Sequence, residues 1–198
     1  MGNTTKEKIL DAALESFAES GYKGTNLRDF AASMGLSKSA LYKHYESKED
    51  IWNATIERVE EYYNSRFGSA DNMPAIPGST AELKTLVMNM LNFTVHDEKI
   101  ILTRKILLTE QFRDDRIRSL ATKHFNTGLE LLFTKIFEEM MHNGTLENDD
   151  AAMLAFAFTA PISSLVLLCG REPDKEPEIM QKIEAFTEYF IRMHERKK

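Results

Sequence analysis

The chain has 198 residues, enough for one large domain or two small ones with a buried core. With 42% hydrophobic and 28% charged residues, 9 Gly, 5 Pro and one cysteine, it fits no disordered, multi-span membrane, low-complexity or disulfide-framework class, and Cys169 alone cannot build a cysteine zinc cage. The net charge of −6 argues against nucleic-acid binding only until its distribution is read: residues 21–48 carry +3 (Lys23, Arg28, Lys38, Lys43 and Lys48 against Asp29 and Glu46) and the remainder −9. A phosphate backbone feels charge within a Debye length of ~8–10 Å, so the local patch is what counts.

The pattern is helical nearly throughout, which predicts an all-α fold. Ile9, Leu10, Ala13, Leu14, Phe17 and Ala18 line one face of a first helix over 6–19, and Gly21 ends it. Thr25 is the candidate N-cap of a short helix over 26–34, which Gly35 breaks. Ser37 caps a second short helix over 38–44, and Ser47 caps a longer one with Glu49 and Asp50 in its first turn. Residues 68–80, rich in Pro, Gly and Ser, read as a loop. Ser79 with Glu82 forms a capping box for the next helix. Further helices are expected over 98–110, as one long amphipathic stretch over 114–142, over 150–169, and over 178–196 with Arg192 and Arg196 near its end. Pro161 should kink or split the apolar helix, with Ser163 and Ser164 recovering freed backbone groups.

The informative stretch is Thr25–Lys48. Two short helices around a Met34-Gly35-Leu36 turn meet the demands of a helix-turn-helix. Ala31 is small enough for a close crossing, and Gly35 can take the positive φ of the turn. Phe30, Leu36 and Leu41 can fill the angle between the helices, while the second helix offers Ser37, Lys38, Ser39, Tyr42 and Lys43 outward.

Gly21-Tyr22-Lys23-Gly24-Thr25, Leu36-Ser37-Lys38-Ser39-Ala40-Leu41-Tyr42-Lys43-His44-Tyr45 and Ser47-Lys48-Glu49-Asp50-Ile51 together resemble the amino-terminal signature of tetracycline-repressor-type (TetR/AcrR) transcriptional regulators. Tyr45 stands where that family usually has Phe. The resemblance implies a helix-turn-helix DNA-binding domain (1–48), a connecting helix (49–67), and a ligand-binding and dimerisation domain (68–198). It implies that Thr25 binds phosphate through its hydroxyl and N–H. Ser37, Lys38 and Ser39 would open the recognition helix in the major groove. Tyr42, Lys43 and His44 would contact backbone or base edges, and Lys48 would grip phosphate. Packing against the first helix is the alternative for Tyr42 and His44, and plain solvation the alternative for Lys43.

The resemblance further implies a homodimer through approximately 150–169 and 178–196, reading an inverted-repeat operator in double-stranded DNA. The uncharged run 151–169 fits a doubly buried dimer helix better than a membrane span, given Pro161 and its acidic flank. Met90, Phe93, His96, Arg104 and Phe125 are candidates for an unknown small-molecule effector, Arg104 and His96 if buried. The reading is a ligand-released repressor in the cytoplasm, since the start lacks a secretory apolar run. A ligand-responsive activator or a helical protein–protein module are the alternatives. HExxH, GxSxG, P-loop and GxGxxG patterns are missing and the histidines are scattered, so no enzyme, cofactor or metal site is expected.

Overall fold

A computed structural model describes residues 5–67 and 75–197. Most of the expected 68–80 loop lies outside them. The described residues form α1 (Thr5–Gly24), α2 (Leu27–Ser33), α3 (Lys38–Leu41), α4 (Lys48–Phe67), α5 (Thr80–His96), α6 (Glu98–Glu110), α7 (Asp115–Thr122), a π turn (Lys123–Thr127), α8 (Gly128–His142), α9 (Ala151–Arg171), a 3-10 turn (Pro173–Lys175) and α10 (Glu176–His194). Among the described residues no strand occurs; the fold is all-α.

Two compact units result. One is the chain through Arg66 with Glu98–Arg118, and the other is Phe67–Asp97 with Ser119–Lys198. The sequence-drawn division puts everything after 67 in one domain. In the structure α6 groups with the amino-terminal helices because it packs along α1.

In the first unit, α1 buries Ile9, Ala13, Leu14 and Phe17, the face its spacing predicts, and breaks at Gly21 (φ 69°, ψ 172°). The N-cap of α2 is Asn26, one residue after the expected Thr25; its side chain accepts from the Arg28 N–H at 2.8 Å. Ser37 caps α3 by accepting from the Ala40 N–H at 3.1 Å, and Ser47 caps α4 by accepting from the Asp50 N–H at 3.0 Å. After Leu41 the bonding tightens into turns, so α3 is shorter than its 38–44 pattern suggests.

In the second unit the Ser79 box is half formed. Ser79 Oγ accepts from the Glu82 N–H at 3.2 Å, but the Glu82 carboxylate accepts from Gly78, one residue before the cap. The long stretch expected over 114–142 is interrupted by the π turn. Gly128 closes that turn, where a Cβ would sit 2.5 Å from the Lys123 carbonyl oxygen. The core is a phenylalanine cluster: Phe158 lies 5.1 Å from Phe133, 5.7 Å from Phe137 and 4.7 Å from Phe190, centroid to centroid.

By length and composition α9 could cross a membrane, yet Leu154, Ala155, Phe158, Ile162, Val166 and Cys169 are buried in that core. Pro161 does not split it; the helix runs unbroken to Arg171. The Ser163 hydroxyl is buried and finds no partner among the described residues, so it does not compensate for the proline.

His124, 8% exposed in the π turn, has its pKa pulled down to about 4 by burial, with Lys123 adding to the effect. An unfolded imidazole titrates near ~6.5 and takes up its proton first as pH falls. Stability held above about pH 6.5 is therefore lost on descending toward pH 4. Between pH 7 and pH 5 the chain should lose about 2 kcal/mol more than a His124→Gln variant, read from urea midpoints. Equal pH dependence in the two proteins would refute the buried neutral imidazole.

Candidate nucleic-acid interface

The helix-turn-helix interior is well filled. Ala31 and Leu41 are 0% exposed and Phe30 5% exposed, while Leu36 is half-buried and its N–H donates to the Ala31 carbonyl at 2.9 Å across the turn. Gly35 takes φ 69°, as the turn requires.

This interior holds one short face outward. Ser37, Lys38, Ser39, Tyr42 and Lys43 are exposed, and Arg28 is exposed on α2. Ser37 and Ser39 hydroxyls lie 2.9 Å apart, and the Lys38 ammonium sits 5.5 Å from the Tyr42 ring centroid. Tyr42 is 41% exposed, which leaves its ring on the surface instead of packed against α1. His44 is half-buried beside this face. Short hydroxyls, two ammonium groups and one phenol on a narrow helix offer donors to phosphate and base edges alike.

Two residues expected to grip phosphate are turned inward. Thr25 is 6% exposed; its hydroxyl reaches the Gly21 carbonyl at 2.9 Å and the Ser16 carbonyl at 3.2 Å, and its N–H donates to Gly21 O at 3.2 Å. Its donors are thus committed inside the head. Lys48 Nζ donates to the Thr25 carbonyl at 2.6 Å and lies 4.7 Å from the Tyr22 ring centroid. Partial burial lowers its pKa, against the raising influence of Glu110. In this geometry both residues tie the start of α2 to α4, in place of the phosphate contacts that the resemblance implies. Tyr45 keeps its ring half-buried, with the Lys6 ammonium 5.4 Å from its centroid.

Sequence reasoning missed the polar contacts that reach this head from the end of α6 and the turn after it. Glu110 accepts from the Tyr22 N–H at 3.2 Å, and Asp114 accepts from the Trp52 indole N–H at 3.3 Å. Their sequence separations are 88 and 62 residues, beyond any local pattern.

The effector candidates do not gather on one unit. Met90, Phe93 and Phe125 are half-buried in the second unit, and Arg104 is buried in the first. His96 is exposed, with Nδ1 3.0 Å from the Asn92 carbonyl and Nε2 2.8 Å from Glu176 Oε1, so the burial that would have favoured it as a ligand contact is absent. Near Arg104, burial pushes the Tyr63 phenol up to about 12, with Arg104 opposing, so it stays protonated at neutral pH.

A filled three-helix interior that presents a short basic and hydroxylated helix defines a helix-turn-helix head. Residues 9–55 match the family described as bacterial regulatory proteins, tetR family. It is 41% identical over 58 residues to IcaR of Staphylococcus epidermidis, a negative transcriptional regulator of the biofilm operon icaADBC; the match covers 29% of this chain and 31% of that protein. The chain thus matches about a third of that curated relative's length. In fold it is similar to SmeT, the repressor of the Stenotrophomonas maltophilia multidrug efflux pump SmeDEF (TM-score 0.67, 19% identity, 98% of this chain and 92% of that one). It is also similar to a regulator from Saccharomonospora viridis solved with choline (TM-score 0.70, 17% identity, 97% and 98%).

Proposed function

We propose that this protein is a sequence-specific DNA-binding repressor that acts in the cytoplasm as a homodimer and leaves an inverted-repeat operator when a small molecule binds. The observation that carries the reading is the outward face of Ser37, Lys38, Ser39, Tyr42 and Lys43 on a filled helix-turn-helix. Recognition would run through that face, with Lys38 suited to guanine O6 and N7. One such head offers too little contact for specificity, whereas two heads ~34–36 Å apart meet successive major grooves on one side of a duplex.

Dimerisation is supported by the second unit. Met153 and Phe156 of α9 are 60% and 53% exposed, and Tyr189 and Met193 of α10 are 52% and 57% exposed. These lie at helical spacing on two neighbouring helices, an apolar stripe suited to a second copy. Met90, Phe93 and Phe125 remain the effector-contact candidates of that unit. The regulatory sign follows IcaR and SmeT, both described as repressing regulators.

Selection of bound sequences from a random duplex pool tests the reading. An inverted repeat should be enriched, and affinity for it should fall steeply with salt. With six or more phosphates contacted, the loss between 50 and 200 mM is about 1,000-fold or more. Failure to enrich any repeat, or binding indifferent to salt, would remove the DNA-binding reading.

A further inference from the structure

The corner between α1 and α2 is gripped by a carboxylate from outside the helix-turn-helix. Glu110, the last residue of α6, is 3% exposed and accepts the Tyr22 N–H through Oε1. Gly21 makes room for it: a Cβ there would lie 2.5 Å from the same oxygen, and the backbone φ of 69° favours glycine independently. Arg113, 3.6 Å away, and the Lys48 ammonium are the cations around this carboxylate. Lys48 in turn holds the Thr25 carbonyl and covers the Tyr22 ring. Four residues on, Asp114 holds the Trp52 indole, whose ring lies 5.3 Å from Tyr22 and 4.9 Å from Phe17.

Burying a carboxylate is costly unless its hydrogen bonds repay the desolvation. A residue needed only to fill space at the end of α6 would be apolar. A negative charge within a DNA-binding unit also works against phosphate by simple Coulomb repulsion. What Glu110 supplies that an apolar residue cannot is an acceptor aimed at the backbone where α1 turns into α2.

We infer that Glu110 is a positioning residue for operator recognition: its carboxylate oxygen holds the α1–α2 corner, and with it α2 and the recognition helix, at the angle that groove entry requires. The inference rests on the DNA-binding reading above.

The experiment compares wild type, Glu110→Gln and Glu110→Ala by fluorescence anisotropy on the duplex enriched by selection and on a random duplex, each at two salt concentrations. Glu110→Gln keeps an acceptor oxygen and loses the charge, so it should bind the operator at least as tightly as wild type. Glu110→Ala loses both and should bind the operator about tenfold more weakly. Its random-duplex affinity should equal that of wild type or rise slightly, because an acid is removed and no phosphate contact is lost, and its salt slope should be unchanged. Electrostatics alone gives the opposite sign, since removing an acid strengthens DNA binding. Emission from Trp52, the chain's single tryptophan, should shift in Glu110→Ala and not in Glu110→Gln.

If the alanine variant does not fold, Glu110→Met fills the same volume without an acceptor and should show the same operator defect. Operator binding by the alanine or methionine variant as tight as wild type would overturn the inference. So would an equal loss on both duplexes, which marks general damage to the head. A wild-type protein without operator preference would instead bring down the DNA-binding reading itself.

Discussion

Phe137→Ala should lower the free energy of unfolding by about 3–5 kcal/mol. The side chain is 0% exposed. Its ring lies 5.7 Å from Phe133, 5.7 Å from Phe158 and 5.6 Å from Phe190, so three aromatic partners lose contact at once. Rings held this way cannot slide inward to close the gap, because each is fixed by its own helix and by its other neighbours. The cost is therefore the lost transfer energy plus a cavity that stays open. Urea unfolding followed by circular dichroism reads it directly. Protomer concentration must be held fixed, since association would add to apparent stability. Phe112→Ala, at a ring 87% exposed, serves as the contrast and should change stability by less than about 0.5 kcal/mol. A loss below about 1 kcal/mol for Phe137→Ala would contradict the packed aromatic core.

Lys38→Ala should weaken operator binding about tenfold to a hundredfold, equivalent to roughly 1–3 kcal/mol for a base-edge contact. Lys38 is the first residue of α3, exposed and without a buried role to lose. Its nearest recorded partner is the exposed Tyr42 ring at 5.5 Å, a weak contact that leaves the ammonium able to swing to a base edge. Fold and stability should be unaffected, which separates this variant from a core truncation. The decisive readout is the pattern of loss. A base contact relaxes preference at one position of each half-site, visible when selection is repeated with the variant. A phosphate contact weakens every sequence alike and lowers the salt slope by about one. Uniform weakening across all sequences would move Lys38 from reading bases to gripping the backbone.

Much of the fold is legible in the residues themselves. The amphipathic spacing of α1 fixes its buried face, and Ser37, Ser47 and Ser79 each cap the helix that their position predicts. These are local effects: a cap accepts from an N–H two or three residues away, and periodicity registers over two turns. The outward face of α3 is legible for the same reason, because a four-residue helix anchored by buried Leu41 leaves Ser37, Lys38 and Ser39 no inward direction.

Where local rules offer equal choices, they go astray. Asn26 and Thr25 are both good N-caps, and only the Ser16 and Gly21 carbonyls, brought near by the break in α1, draw the Thr25 hydroxyl inward. Lys48 has the position of a phosphate ligand, but the carbonyl it meets belongs to a residue 23 positions away. The π turn before Gly128 departs from the regular periodicity of 114–142.

The sequence by itself determined that the chain is helical, where most helices begin, and which short basic segment faces solvent, because those outcomes rest on contacts within a turn or two of the backbone. Only the tertiary structure decided that α6 belongs with the amino-terminal head, that Thr25 and Lys48 look inward, and that Glu110 holds the α1–α2 corner. A hydrogen bond across 88 residues is chosen by chain closure and packing, which no local pattern encodes.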